Sequence, residues 1–168
     1  AFVAGEFIRW LGEQEADTPW FAHVSFIRPH PPFVVPEPYN RMYEGADVGT
    51  FARAGDRSAD ASIHPLHAAA LDLTGLEHFL PGAAGKVADL SDDEFRLIRT
   101  IYLGMISEVD AQLGRIWQAL ADANAWDDTI IVLTSDHAEM MGDHLTLGKG
   151  GFFDGSHHIP LVVRDPRR

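Results

Sequence analysis

The chain contains no cysteine. Disulfides and thiolate metal sites are therefore excluded, and so is a thiol nucleophile within these 168 residues. Basic residues are scarce: 13 Lys and Arg stand against 25 Asp and Glu, for a formal net charge of −12. Nucleic acid is thus not an expected partner, because neutralising a phosphate backbone needs a basic surface. A small anionic substrate stays compatible, since one metal ion and one lysine can set a local field against the global charge. Only two lysines occur, Lys86 and Lys149. No apolar run approaches the roughly 20 residues of a membrane-spanning helix, so no membrane partner is expected and the expected compartment is the cytoplasm. What is present is ordinary: 46% hydrophobic residues, enough for one domain with a core over residues 1–168.

Periodicity supplies the elements. Phe2, Phe7, Trp10 and Leu11, with charges between them, predict an amphipathic helix to about Glu13. Trp20 to Ile27 is aromatic and β-branched between Thr-Pro and Arg-Pro, which predicts a buried strand. Arg28 to Tyr39 holds five prolines and reads as an extended loop. Residues of about 40–90 lack strong periodicity and read as an irregular excursion with short helices at most. Ser91-Asp-Asp-Glu is a capping box. Phe95, Ile98, Tyr102, Met105, Val109, Leu113, Ile116, Trp117 and Leu120 then follow a helical period, predicting a helix from about Asp92 to Asn124. Strands follow at Thr129 to Thr134 and Ile159 to Val163. A strand, a long crossover and a second strand predict an α/β fold with a mostly parallel sheet flanked by helices.

The chemistry concentrates after the first of those late strands. Ile130 to Leu133 runs into Thr134-Ser135 and delivers Asp136 and His137. Ligands in open α/β sheets bind beyond the carboxyl ends of strands. A neighbouring carboxylate and imidazole there form a hard and a borderline donor for one divalent metal ion. The same Asp-His also fits a plain loop in which Asp136 caps the next element. Lys149 lies twelve residues beyond His137, in Leu-Gly-Lys-Gly-Gly. Glycines let the backbone pass close to a bound group while a point cation reaches it. His30, held among prolines in Arg28-Pro-His-Pro-Pro-Phe, is otherwise an exposed loop histidine. His144 in Gly-Asp-His reads as a structural residue or a partner that orients a ligand. His64, His67 and His78 read as solvated side chains, with a second metal site as the alternative. His157-His158 lead into the last strand, where one could line a pocket mouth.

Thr134-Ser-Asp-His-Ala-Glu-Met-Met-Gly-Asp-His, followed by Gly148-Lys149-Gly150, resembles the C-terminal metal-and-lysine motif of the sulfatase family in the alkaline phosphatase superfamily. Pro29-His-Pro-Pro-Phe resembles that family's P-H-x-P-F segment. Ile106-Ser-Glu-Val-Asp-Ala-Gln-Leu-Gly-Arg resembles its long helix, and His158-Ile-Pro-Leu-Val-Val-Arg its following strand. The likeness runs from about Pro19 to Pro166 and is greatest to the phosphonate monoester hydrolase branch, which carries Asp-His at this point. It implies an alkaline phosphatase-like sheet and metal-assisted hydrolysis of a sulfate, phosphonate or phosphodiester. Asp136 and His137 would be metal ligands; His30 and Lys149 would be catalytic and substrate-binding. The implied cofactor is one divalent ion, manganese or calcium foremost, with zinc or magnesium as alternatives. The family's nucleophile is a formylglycine made from the cysteine of C-x-P-x-R. Neither that segment nor S-x-P-x-R occurs here, so the chain is expected to be a central-to-C-terminal portion, inactive by itself. Ala138 stands where the family usually has glycine, which bears on substrate identity. The rivals are a mutase-like or nucleotide-pyrophosphatase-like hydrolase of the same superfamily, and an inactive module that keeps the fold. The partner implied is a small anionic ester, with homo-oligomerisation left open.

Overall fold

Ser91 starts the longest element. Its hydroxyl accepts from the Glu94 amide at 3.3 Å while Glu94 accepts from the Ser91 amide at 2.7 Å. Both exchanges satisfy amides that the first helical turn leaves without partners. In the computed structural model, which describes residues 1–15 and 18–167, this opens a 31-residue helix, α4 (Asp92–Asp122). It ends where Asn124 turns left-handed, φ 55°, close to the expected boundary. The other helices are α1 (Phe2–Leu11), α2 (Arg57–Ser62), α3 (Pro65–Leu73) and the single-turn α5 (Asp154–His157). Strands β1 (Ile131–Thr134) and β2 (Leu161–Arg164) follow α4, β2 ending the described chain but for three residues.

Helix α4 spans two cores. Its first half presents Phe95, Ile98 and Met105 to Phe33, Leu76, Phe79, Val87, Met141 and Leu147. That core joins the proline loop, the 40–90 excursion and the segment carrying Gly142-Asp-His. Its second half presents Ile116 and Leu120 to Ala4, Phe7 and Leu11 of α1, with Trp20, Val24, Phe26 and Ile131 against them. Burial of apolar side chains at helical spacing on both partners is what holds α1 to α4. The excursion is more ordered than expected: besides α2 and α3 it holds single turns at Tyr39–Arg41, Leu76–His78 and Val87–Asp89.

The expected mostly parallel sheet does not form. β1 and β2 pair antiparallel, Ile131 opposite Arg164 and Thr134 opposite Leu161, and the described chain is mainly helical. The reason lies in the connection. A parallel return needs a crossover, usually a helix of some length. Residues 135–160 supply only the single turn Asp143–Leu145 and the four-residue α5, so the chain comes back alongside β1 in the opposite sense. Residues 20–27 are extended and alternate in burial as a strand would, yet they have no ladder partner among the described residues. Among those residues no helix is long and apolar enough to cross a membrane.

Gly104 shows how tightly α4 is packed. A Cβ at this buried position would collide with the carbonyl of Tyr39, so glycine sits here because a backbone passes against it. Gly104→Ala should gain about 1 kcal/mol of helix propensity. It should lose more, because overpacking against immovable backbone costs roughly 1–3 kcal/mol. The expected outcome is a lower midpoint in chemical denaturation, with unchanged far-ultraviolet circular dichroism; a raised midpoint would show that Tyr39 yields freely.

Candidate active site

Three segments converge beyond the end of β1. The strand runs out at Thr134, whose hydroxyl donates to Pro160 O at 2.9 Å. Ser135 Oγ donates to His137 O at 2.6 Å, turning the chain so that Asp136 and His137 face the same side. Asp136 Oδ1 accepts the His137 amide at 3.0 Å, and its Oδ2 lies 3.7 Å from His137 Nε2. The segment then zips to its return limb: Ala138 N donates to Ser156 O at 2.9 Å, and Met140 N to Gly148 O at 2.7 Å. The latter bond delivers Lys149 beside the Asp136-His137 turn.

Lys149 Nζ is 2.7 Å from His137 Nε2 and 3.2 Å from His30 Nε2. His30, 119 positions away, arrives on the proline loop, whose Phe33 is anchored in the first core. Both imidazoles have a second partner that fixes their tautomer. His137 Nδ1 is 2.9 Å from Ala138 O, and His30 Nδ1 is 2.8 Å from Pro31 O. A carbonyl can only accept, so each Nδ1 carries the proton and each Nε2 turns its lone pair to the ammonium. All four residues singled out by the motifs therefore lie together, at a solvent-accessible surface.

Charge around the cluster is shaped by burial as well as proximity. The Asp136 carboxyl feels some desolvation, which alone would raise it. His137, two backbone amides and Lys149 outweigh that and hold it below the ordinary carboxylate range. Glu139 behaves oppositely. It is 8% exposed and burial pushes it up, against the pull of His137, His30 and Lys149. Neighbouring Tyr102 is pushed up to about 12, first by burial and then by Glu139.

Several residues that hold the site were not anticipated. Arg99, on α4, donates to Met141 O, Val48 O and Thr50 O at 2.8, 3.1 and 2.8 Å, and pairs with Asp143 at 2.8 Å. Arg53 donates to Gly142 O and lies over the Phe51 ring. A signal for Arg99 existed: it interrupts the apolar stripe of α4 between Phe95 and Tyr102, and a guanidinium on a buried face needs fixed acceptors. His67 is buried, not solvated, at 4% exposure. His64 caps α3, accepting the Leu66 amide.

A sequence profile of the Sulfatase family matches residues 2–168. The chain belongs to the sulfatase family. It is 44% identical over 147 residues to the multifunctional alkaline phosphatase superfamily protein PehA of Trinickia caryophylli, covering 88% of this chain and 29% of that protein. It superposes on the phosphonate monoester hydrolase of Agrobacterium radiobacter with a TM-score of 0.94 at 65% identity, over 99% of this chain and 33% of that one. It also superposes on the phosphonate monoester hydrolase of Silicibacter pomeroyi, TM-score 0.84 at 36% identity, over 99% and 33%. The chain thus spans about a third of the length of these relatives.

For a sulfatase-family chain the donor set bears on the metal. Among the described residues no group of three His, Cys, Asp or Glu side chains is arranged to hold an ion. Two donors do fit: a 3.7 Å gap between Asp136 Oδ2 and His137 Nε2 suits two ligands each about 2.1 Å from one divalent ion. The His137 tautomer leaves one lone pair on Nε2, which here meets the Lys149 ammonium at 2.7 Å and which an ion would take from it.

Proposed function

We propose that this chain forms the lysine-and-metal side of a hydrolase active site acting on small anionic esters, with phosphonate monoesters foremost and phosphodiesters and sulfate esters as further substrates. One observation carries the reading: an ammonium within reach of two imidazole Nε2 atoms, with the Asp136 carboxylate 3.7 Å from one of them. Asp136 and His137 are the residues that would hold one divalent ion, manganese or calcium foremost. When bound, that ion supplies charge stabilisation at an oxygen of the ester. Lys149 binds a non-bridging oxygen as a point charge with three rotatable donors. His30 Nε2, being an acceptor, holds its ammonium in place before substrate arrives, while the single His137 Nε2 lone pair, which meets that ammonium at 2.7 Å here, would pass to the ion on binding. His30 Nε2 can take a proton and pass it to the departing oxygen, its ring kept in register by Pro31 O. The likeness to two solved phosphonate monoester hydrolases supports phosphonate as the first substrate class. The nucleophile, a formylglycine by family resemblance, lies outside these 168 residues, none of which is cysteine.

The test uses the full-length protein carrying this chain, stripped of metal and reloaded with manganese or calcium. Aryl phosphonate monoesters, phosphodiesters and sulfate esters are offered in parallel. Metal-dependent turnover of the phosphonate is expected, and Asp136→Ala should remove it at every metal concentration within reach. Turnover that persists undiminished in Asp136→Ala, or that ignores metal removal, would overturn the reading.

A further inference from the structure

The Gly142-Asp143-His144 motif has no part in the chemistry above, yet it carries an unusual arrangement. His144 and Leu145 sit at positive φ, 51° and 59°. They form the tip of a narrow turn closed by Gly142 N to Thr146 O and Met140 N to Gly148 O, both 2.7 Å. Lys149 follows directly. Non-glycine residues in this backbone region cost free energy, so something else must hold the tip.

That hold comes from the excursion. His144 Nδ1 is 2.8 Å from Asp60 Oδ1, and the His144 amide donates to Ala52 O at 2.8 Å. Asp60 is 0% exposed, and the same oxygen also accepts the Ala54 amide at 3.0 Å. Phe153 stacks on the His144 ring, centroids 4.3 Å apart, and buried His67 meets both rings edge-on. A fully buried carboxylate whose hydrogen-bonded oxygen serves a loop 84 positions away is an anchor of specific geometry.

From this geometry we infer that His144, through its bond to Asp60, is a positioning residue for Lys149. The 40–90 excursion, which has no residue in the candidate site, thereby acts as the template on which the lysine loop is set. The chain of contact is continuous: Asp60 fixes the His144 ring, the ring fixes the left-handed tip, and the closed turn fixes Gly148 and hence Lys149 against His30 and His137. This inference rests on the catalytic reading of Lys149 given above.

Two substitutions separate the bond from the turn. His144→Gly keeps the left-handed tip, since glycine adopts it without strain, and removes only the imidazole. His144→Asn keeps the tip, because asparagine tolerates this region, and returns a side-chain donor near the Nδ1 position. In the full-length protein, His144→Gly should lower kcat/KM by about 10- to 100-fold, the cost of displacing a reacting group by about an ångström. His144→Asn should stay within about threefold of wild type, on the same scale. The deciding measurement is the double variant. If His144 works through Lys149, the His144→Gly loss shrinks or vanishes in a Lys149→Ala background. Additive losses would overturn the inference while leaving the function of Lys149 intact. Wild-type turnover in Lys149→Ala would instead overturn the functional reading itself. Should His144→Gly not fold, the isosteric Asp60→Asn weakens the same bond and enters the same cycle. Full activity in whichever of the two folds, or an Asn variant as poor as Gly, counts against the inference.

Discussion

Lys149→Ala should lower kcat/KM for the full-length protein by about 10²–10³, the loss that follows removal of one donor aimed at a developing oxyanion. Stability should hardly move. Lys149 is exposed, and surface substitutions usually stay within about 0.5 kcal/mol. Its partners keep their tautomers without it, because Ala138 O and Pro31 O still accept from the two Nδ1 atoms. Lys149→Arg should not rescue. A planar guanidinium with donors in a rigid fork cannot fit between two lone pairs that an ammonium reaches by rotation. Steady-state kinetics beside thermal denaturation separates the two effects. Wild-type turnover would make Lys149 an ordinary surface lysine, and a large drop in melting temperature would make it structural.

Part of the candidate site was legible from local features the chemistry demands, while His30, an exposed loop histidine by itself, was singled out only by the resemblance. Asp136 and His137 follow a strand end, Lys149 lies between glycines, and His30 among prolines. Each is a position where backbone is fixed and side chain is free. The supporting residues were not legible in the same way. Arg99, Asp60 and His67 act through partners 42 to 84 positions away or through burial alone. Sequence spacing along one element carries no record of such partners. His67 in particular looks like any polar residue of a weakly periodic stretch until α3 turns it onto the rings of His144 and Phe153.

For the fold, helices were easier than sheet for a physical reason. Local capping and 3.6-residue periodicity specify α4 almost entirely from within its own residues. A strand's identity depends on what lies beside it. Trp20 to Ile27 has the alternation of a strand, and residues 131–134 and 161–164 have the β-branched content, but pairing direction is set by the connection between them. Residues 135–160 offered no helix long enough for a crossover, and the low helical periodicity there was the available warning against a parallel pairing.

The 168-residue chain alone is expected to show no turnover and to self-associate. Both expectations come from what these residues lack. With neither C-x-P-x-R nor S-x-P-x-R present, these residues hold no segment from which the family's formylglycine is made, and loss of a covalent nucleophile costs on the order of 10⁶ in kcat. Asp136 and His137 supply only two donors, so ion affinity should be weak as well. Meanwhile several large apolar side chains stand exposed. Phe21 is 89% exposed, Ile27 83% and Leu161 69%, and Val132, Val162 and Val163 are each more than half exposed. These belong to a two-stranded ladder with free edges and to an extended segment with no ladder partner, the features that template intermolecular pairing. Light scattering at micromolar concentration should report species larger than a monomer. A charge such as Val132→Lys or Val162→Lys on the ladder should reduce them. A monodisperse monomer would mean that the exposed strands do not pair. Metal-dependent hydrolysis by the isolated chain, abolished by Asp136→Ala, would mean that a nucleophile does reside within these residues, with Ser135 and Thr134 the first to examine.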